Sequence, residues 1–245
     1  MMRIVLFALM FALLPGWAAA AGPHGVKLDS VHTDLDDKPS LQRGARTFVN
    51  FCLSCHSAGY MRYNRMGEDL GISEELVKEN LLFAADKTGD LMKAVMPRDD
   101  AKDWFGVAPP DLTLLTRNRG PEWVYTYMRS FYRDEASPSG WNNIVFRNVA
   151  MPHVLYGWQG IQRARFEVDD KTGEKHFAGF DLVQPGSMSQ EEYDQAMRDL
   201  TNFLVYLGEP AKLVRYQLGV YVLIFLAVFF VLAYLLKKEY WKDVH

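Results

Sequence analysis

Residues 43–63 read RGARTFVNFCLSCHSAGYMRY, and their centre, Cys52-Leu53-Ser54-Cys55-His56, decides how the rest of the chain is understood. C-x-x-C-H is the attachment signature of c-type haem. Two thiols three residues apart reach the two vinyl groups on one edge of a porphyrin and form thioethers. The next residue then places an imidazole under the iron. Other uses of a Cys pair fit less well. A redox-active dithiol belongs in a βαβ setting, and none is apparent here. A zinc site wants two more Cys or His ligands nearby, whereas the remaining histidines are scattered at 24, 32, 153, 176 and 245. Only two cysteines occur in the chain, so a disulfide scaffold is excluded.

The iron's sixth position decides its chemistry. His with Met gives a raised-potential centre suited to electron transfer, and an open position permits ligand binding or peroxidase chemistry. Two Met-Pro pairs follow the motif, Met96-Pro97 and Met151-Pro152, and proline beside a ligand stiffens its loop. His153 is a third candidate. Spacing alone leaves the choice open, because any single Met is equally suited to filling a core.

Around the motif the pattern is helical. Leu41, Ala45, Phe48 and Phe51 repeat at near-helical spacing after Ser40, which predicts a helix over 41–54 with Ser40 as its cap. Ser189-Gln190-Glu191-Glu192 is a capping box, and the apolar residues from Tyr193 to Leu207 recur at three and four, so 190–207 is a second helix. Shorter helices are predicted at 73–84 and 121–133, the latter with Pro121 in its first turn. A small hairpin is predicted over 164–182, turning at Lys171-Thr172-Gly173. Stretches 96–112 and 136–163, rich in Pro, Gly, Asn and Trp, read as long loops. Ordered loops of that length need something large to pack on, and a porphyrin supplies it.

The ends of the chain set its address. Arg3, an apolar run from Ile4 to Leu14 and the small residues Ala18 to Ala21 make residues 1–21 a secretory signal peptide. That run is too short to span a bilayer comfortably. Leu218 to Leu236 is 19 residues without a charge, about a bilayer core thick at 1.5 Å per residue. Tyr216 and Tyr221 lie near one end, Tyr240 and Trp241 beyond the other, as interfacial aromatics do. Lys237, Lys238 and Lys242 follow it, against Lys212 and Arg215 before it, which weakly favours an inside C-terminus. The expected division is therefore a signal at 1–21, an exported haem c domain at 22–211, an anchor at 212–236 and a cytoplasmic tail at 237–245. The body then sits on the periplasmic side of a bacterial inner (cell) membrane, an oxidising space.

At 245 residues the chain has room for one sizeable domain plus these appendages. Residues 22–211 carry 21 basic against 28 acidic side chains, which argues against nucleic acid and suits a basic partner. Glu68, Asp69, Asp99, Asp100 and Asp103 are candidates for such a surface.

Beyond these local readings, the chain resembles the cytochrome c1 family, the haem subunits of the quinol–cytochrome c oxidoreductase (cytochrome bc1) complex. The resemblance runs from about residue 30 to the C-terminus. It rests on the attachment segment 43–63, on Ala108-Pro109-Pro110-Asp111-Leu112 followed by Arg117 and Arg119, and on Asn148-Val149-Ala150-Met151-Pro152. Met188-Ser189-Gln190, Phe203-Leu204 and Glu209-Pro210 before a single span complete it. The resemblance implies Met151 as the sixth ligand, with His56 the fifth, and places Met96 in the loop before Pro-Pro-Asp-Leu. It implies Arg119 near a haem propionate. Some members carry an additional cysteine pair; this chain has none. The residues agree in kind: Pro109 and Pro110 make a stiff apolar wall, and Arg pairs well with a carboxylate.

The expected fold is mainly α: a c-type cytochrome domain with long haem-wrapping loops and a small β-hairpin, plus one C-terminal transmembrane helix. The expected function is electron transfer through one covalent haem c held by Cys52, Cys55, His56, Met151, Pro110 and Arg119. As the resemblance implies, the donor is a Rieske iron–sulfur protein, the acceptor a mobile c-type cytochrome, the membrane neighbour cytochrome b, and the complex a dimer. No general acid or base is needed, and no separate substrate-turnover site is expected. A solitary membrane-anchored cytochrome serving an oxidase or reductase uses the same motif, and a haem enzyme or gas sensor would leave the sixth position open.

Overall fold

The structure is a computed structural model describing residues 26–169, 173 and 175–243. The expected signal peptide, most of the expected hairpin turn and the last two residues of the tail lie outside the described residues. In chain order the elements are α1 (Lys38–Phe51), β1 (Ala58–Arg62), α2 (Tyr63–Leu70), α3 (Glu74–Asn80), β2 (Leu91–Met92), α4 (Arg98–Phe105), α5 (Leu115–Arg119) and α6 (Pro121–Arg129). There follow β3 (Phe131–Arg133), β4 (Trp141–Asn143), α7 (Tyr156–Gln159), β5 (Gly160–Val168), β6 (Lys175–Pro185), α8 (Gln190–Gly208) and α9 (Lys212–Tyr240).

The helix carrying the motif starts earlier than its apolar pattern indicates. Pro39 belongs in a first turn, where its missing N–H costs nothing, and the Asp37 carboxylate caps the helix by accepting the Ser40 N–H at 3.0 Å. Ser40 is therefore inside α1 rather than its cap. Its buried hydroxyl donates to Asp199 at 2.8 Å instead. The helix ends at Phe51, so both cysteines fall in the turn that follows.

α1 packs along α8, and that pair is the backbone of the domain. Gly44 makes the close approach possible: a Cβ there would lie 2.1 Å from the Asp199 carbonyl oxygen and 2.6 Å from Phe203 Cβ. Phe48 and Phe203 meet with ring centroids 5.6 Å apart. Arg43 grips the Asp199 carboxylate with two nitrogens, at 2.6 and 3.0 Å. α8 begins with the capping box read from the sequence, Ser189 and Glu192 exchanging bonds at 3.2 and 2.8 Å.

The other elements correct the sequence-based boundaries. α3 spans less of 73–84 than expected, starting after the Ser73 cap. The helix expected over 121–133 stops at Arg129, because Phe131 to Arg133 pair antiparallel with Trp141 to Asn143. The expected hairpin is wider, with β5 and β6 pairing from Gly160↔Pro185 to Val168↔Lys175. The stretch 96–112 holds α4, and 136–163 holds β4, α7 and the start of β5. Among the described residues three two-stranded ribbons decorate a helical domain, so the mainly α class stands. α9 is one continuous helix of 29 residues with no buried residue, about 43 Å long. It passes the length and hydropathy requirements for crossing a membrane.

Candidate haem pocket

The end of α1 fixes the motif. As the helix unwinds, the Cys52 carbonyl accepts the N–H groups of Cys55 at 3.0 Å and His56 at 2.8 Å. This tight turn sends Cys52, Cys55 and His56 into one cavity of about 330 Å³. Cys52 is buried, and burial, with Cys55 adding to it, pushes its thiol pKa up to about 12. Among the described residues no three His, Cys, Asp or Glu side chains come together, so the pair lacks the companions a zinc site needs.

His56 is oriented by the Pro-Pro-Asp-Leu segment. Its Nδ1 lies 2.8 Å from the Pro110 carbonyl oxygen. A carbonyl only accepts, so Nδ1 carries the proton and Nε2 keeps its lone pair. Burial lowers the His56 pKa, opposed in part by the Pro110 bond and by Asp111, and favours the neutral ring that ligates metals. Pro110 is held in turn. The Asp111 carboxylate accepts from Gly59 N at 2.8 Å and from Thr113 N at 2.8 Å, and the Leu112 N–H donates to the Ser57 carbonyl at 2.8 Å. The Pro-Pro-Asp-Leu segment is thus both an apolar wall and the anchor for the imidazole.

A further part of the wall comes from the segment after β4. Val149, Ala150, Met151 and Pro152 all line the cavity. Two buried asparagines shape this segment. Asn143 Oδ1 accepts the N–H groups of Val145 at 2.9 Å and Phe146 at 3.2 Å, and Asn142 Oδ1 accepts that of Asn148 at 2.8 Å. Asn148 adopts φ 57°, a left-handed conformation that Asn tolerates better than most residues. Met151 Sδ accepts the Tyr127 hydroxyl at 3.4 Å.

The other candidates separate cleanly. Met96 is half-buried, and its N–H donates to the Ser54 carbonyl at 3.1 Å, but it does not line the cavity. His153 does not line it either. It is 2% exposed, stacked on Phe131 at 4.9 Å and edge-on to Trp141 at 5.2 Å, and neither ring nitrogen makes a well-formed hydrogen bond. Burial, opposed in part by the Gln159 side chain, pushes its pKa down to about 4, so it is a neutral core residue. Arg117 is engaged with Glu209 at 2.9 Å. Arg119 is exposed at the cavity, has no ion pair among the described residues, and lies with its guanidinium 5.4 Å from the Trp123 ring centroid.

The remaining lining is apolar, including Phe51, Leu112, Leu115, Phe146, Leu200 and Leu204. Two thiols, an imidazole, a thioether and a guanidinium therefore converge on a hydrophobic slot, a set of side chains that fits a covalently attached haem.

A model of the Cytochrome C1 family matches residues 29–172 and 179–244. The chain belongs to that family. A cytochrome c1 of Allochromatium vinosum is 53% identical over the whole of both chains. A protein of Nitrosomonas europaea called ammonia monooxygenase gamma subunit is 48% identical, again over the whole of both. A protein of Bradyrhizobium diazoefficiens called cytochrome b/c1 is 27% identical over 85% of this chain, which covers 34% of that longer protein. As a cytochrome c1 family protein, the chain carries one covalently bound haem c. It is the electron-transfer haem subunit of the cytochrome bc1 oxidoreductase, with cytochrome b and a Rieske protein as fellow subunits. The exposed α9 is consistent with the membrane anchor of this family.

Sequence reasoning missed four contributors: Asn142 and Asn143, Tyr127, and the carbonyl of Pro110. The signal available for the asparagines was weak, two adjacent polar residues after a Trp in a loop eight residues before Met151.

Proposed function

We propose that Cys52 and Cys55 would hold the haem covalently through their thiols, that His56 Nε2 and Met151 Sδ would ligate its iron, and that Arg119 would pair with a propionate while Pro110 orients His56. The observation that carries this is the convergence of all six residues on one apolar cavity. When bound, haem supplies a one-electron couple. The protein's own residues do the rest. Pro110 fixes the imidazole tautomer, the Asn142–Asn143 pair holds the segment that presents Met151, and the apolar lining excludes water from the redox centre.

We also propose the route and address. Electrons enter from the Rieske protein and leave to a mobile c-type cytochrome, in a dimeric complex of the bacterial cell membrane with the haem domain periplasmic. Residues 1–21 act as signal, 22–211 as the exported domain, 212–236 as anchor and 237–245 as tail, and no separate turnover site is needed. Lysines 237, 238 and 242 on the far side of α9 support this orientation. For the acceptor, Asp99, Asp100 and Asp103 are exposed on α4, whose Phe105 lines the cavity. Asp69 is not available in the same way: its carboxylate accepts from Arg65 at 2.6 Å and from the Tyr206 hydroxyl at 2.7 Å. Steering by such a surface weakens with salt.

The test is an optical difference spectrum and electron paramagnetic resonance on the chain purified gently from its own membranes. Haem c together with haem b and a Rieske signal is the expected result. Haem c alone from an intact preparation would instead make this a solitary carrier.

A further inference from the structure

Met151 is the weakest donor in the pocket, and it is not left alone. Among the described residues one hydrogen bond reaches its sulfur, from the Tyr127 hydroxyl at 3.4 Å. Tyr127 is set rigidly. Its ring stacks on Trp123 with centroids 4.9 Å apart and planes 10° apart, and meets Phe131 edge-on at 5.0 Å. Its carbonyl accepts the Asn143 side-chain N–H at 2.8 Å, and the same Asn143 shapes the Met151 segment. Donor and acceptor are thus referenced to one buried residue.

We propose that Tyr127 is a positioning residue that raises the reduction potential of the haem by hydrogen-bonding the sulfur of Met151. This rests on the reading of Met151 as the sixth ligand. A thioether sulfur has two lone pairs, so one accepts the phenol and the other remains for iron. The donated proton draws electron density off the sulfur. Ferric iron depends on that density more than ferrous iron does, so the bond favours the reduced state. The bond is made in both oxidation states, so only its difference between them counts, and the whole net strength of a neutral hydrogen bond sets an upper limit of about a fivefold bias. At 59 mV per tenfold for one electron, its loss lowers the midpoint by up to about 40 mV.

The experiment is a spectroelectrochemical titration of haem c in the intact membrane complex, comparing wild type, Tyr127→Phe and Met151→Lys. The weak sulfur-to-ferric-iron charge-transfer absorption at the red end of the visible is followed in parallel. Tyr127→Phe keeps the ring packing and removes only the hydroxyl. The expected result is a lower midpoint with the charge-transfer absorption retained but shifted. An unmoved midpoint and absorption in Tyr127→Phe, with both lost or lowered in Met151→Lys, overturns the role of Tyr127 and leaves the ligand in place. An absorption that survives in Met151→Lys overturns the ligand assignment itself. If Tyr127→Phe fails to assemble, a ring-fluorinated tyrosine at 127 serves. It is a stronger donor of nearly the same shape and moves the midpoint upward, and no upward movement counts against the proposal.

Discussion

Gly44→Ala sets two effects of opposite sign against each other. Gly44 lies inside α1, where alanine is favoured over glycine by about 1 kcal/mol on helix propensity alone. An exposed helical glycine would therefore stabilise on mutation. Here the new methyl would sit 2.1 Å from the Asp199 carbonyl oxygen, 2.8 Å from its carbon and 2.6 Å from Phe203 Cβ. Ordinary contact is above 3 Å, so α1 and α8 must part by roughly 1 Å, and the obstacle is helix backbone rather than the end of a flexible side chain. Overpacking a close interface costs about 3 kcal/mol at the upper end of its usual range. The net is a loss of about 2 kcal/mol, which for a chain of this size lowers the melting temperature by about 4–8 °C. Thermal unfolding of the detergent-solubilised holoprotein, followed by the haem Soret band and tryptophan fluorescence, reads it. Gly89→Ala is the control, since a Cβ there meets nothing within 4 Å. If Gly44→Ala melts at or above the wild-type temperature, the helix interface has slack and the close-approach argument is wrong.

Met151→Lys is expected to leave the haem covalently attached, as judged by haem stain after denaturing electrophoresis, while the midpoint potential falls; an unchanged potential would move the ligand role to another residue. Asn143→Ala removes the acceptor of two segment N–H groups at a fully buried position and should destabilise the native state by about 2–4 kcal/mol in urea titration. Conversely, His153→Phe removes two buried ring nitrogens that make no well-formed hydrogen bond among the described residues and keeps the stack on Phe131, so stability should hold or rise by about 1 kcal/mol with the haem spectrum unchanged. A changed spectrum in His153→Phe would make that residue part of the haem site.

What the sequence made legible is what short spacing controls. The capping box of α8 and the apolar length of α9 each lie within one stretch of chain, and each stands in the structure as read. The apolar spacing carries the motif's helix on to 54, whereas α1 ends at Phe51 and the cysteines occupy the turn after it. The Met-Pro pairs were legible as candidates but not ranked by spacing. The structure separates them because the segment carrying Met151 folds over the cavity while Met96 is pinned to Ser54 behind the motif. The illegible parts are relations across the chain. His56 and Pro110 are 54 residues apart, and Tyr127 and Met151 are 24 apart. The end of α6 was misplaced for the same reason, since the partner strand that claims Phe131 to Arg133 begins only at Trp141. Ser40 was misread because Pro39 and Asp37 start the helix earlier, and the freed hydroxyl then serves the Asp199 cluster.

The short link between α8 and α9 has a mechanical consequence. Only Glu209 to Ala211 separate the two helices, and the Glu209 carboxylate takes Arg117 at 2.9 Å from one side and Arg215 at 2.6 Å from the other. The guanidinium of α9's first turn and that of α5 are therefore clasped to one hinge point. A tether of three residues reaches about 10 Å at full stretch. The domain is moored rather than leashed: the end of α8 stays within about 10 Å of the start of α9, so the body of the protein follows that helix closely.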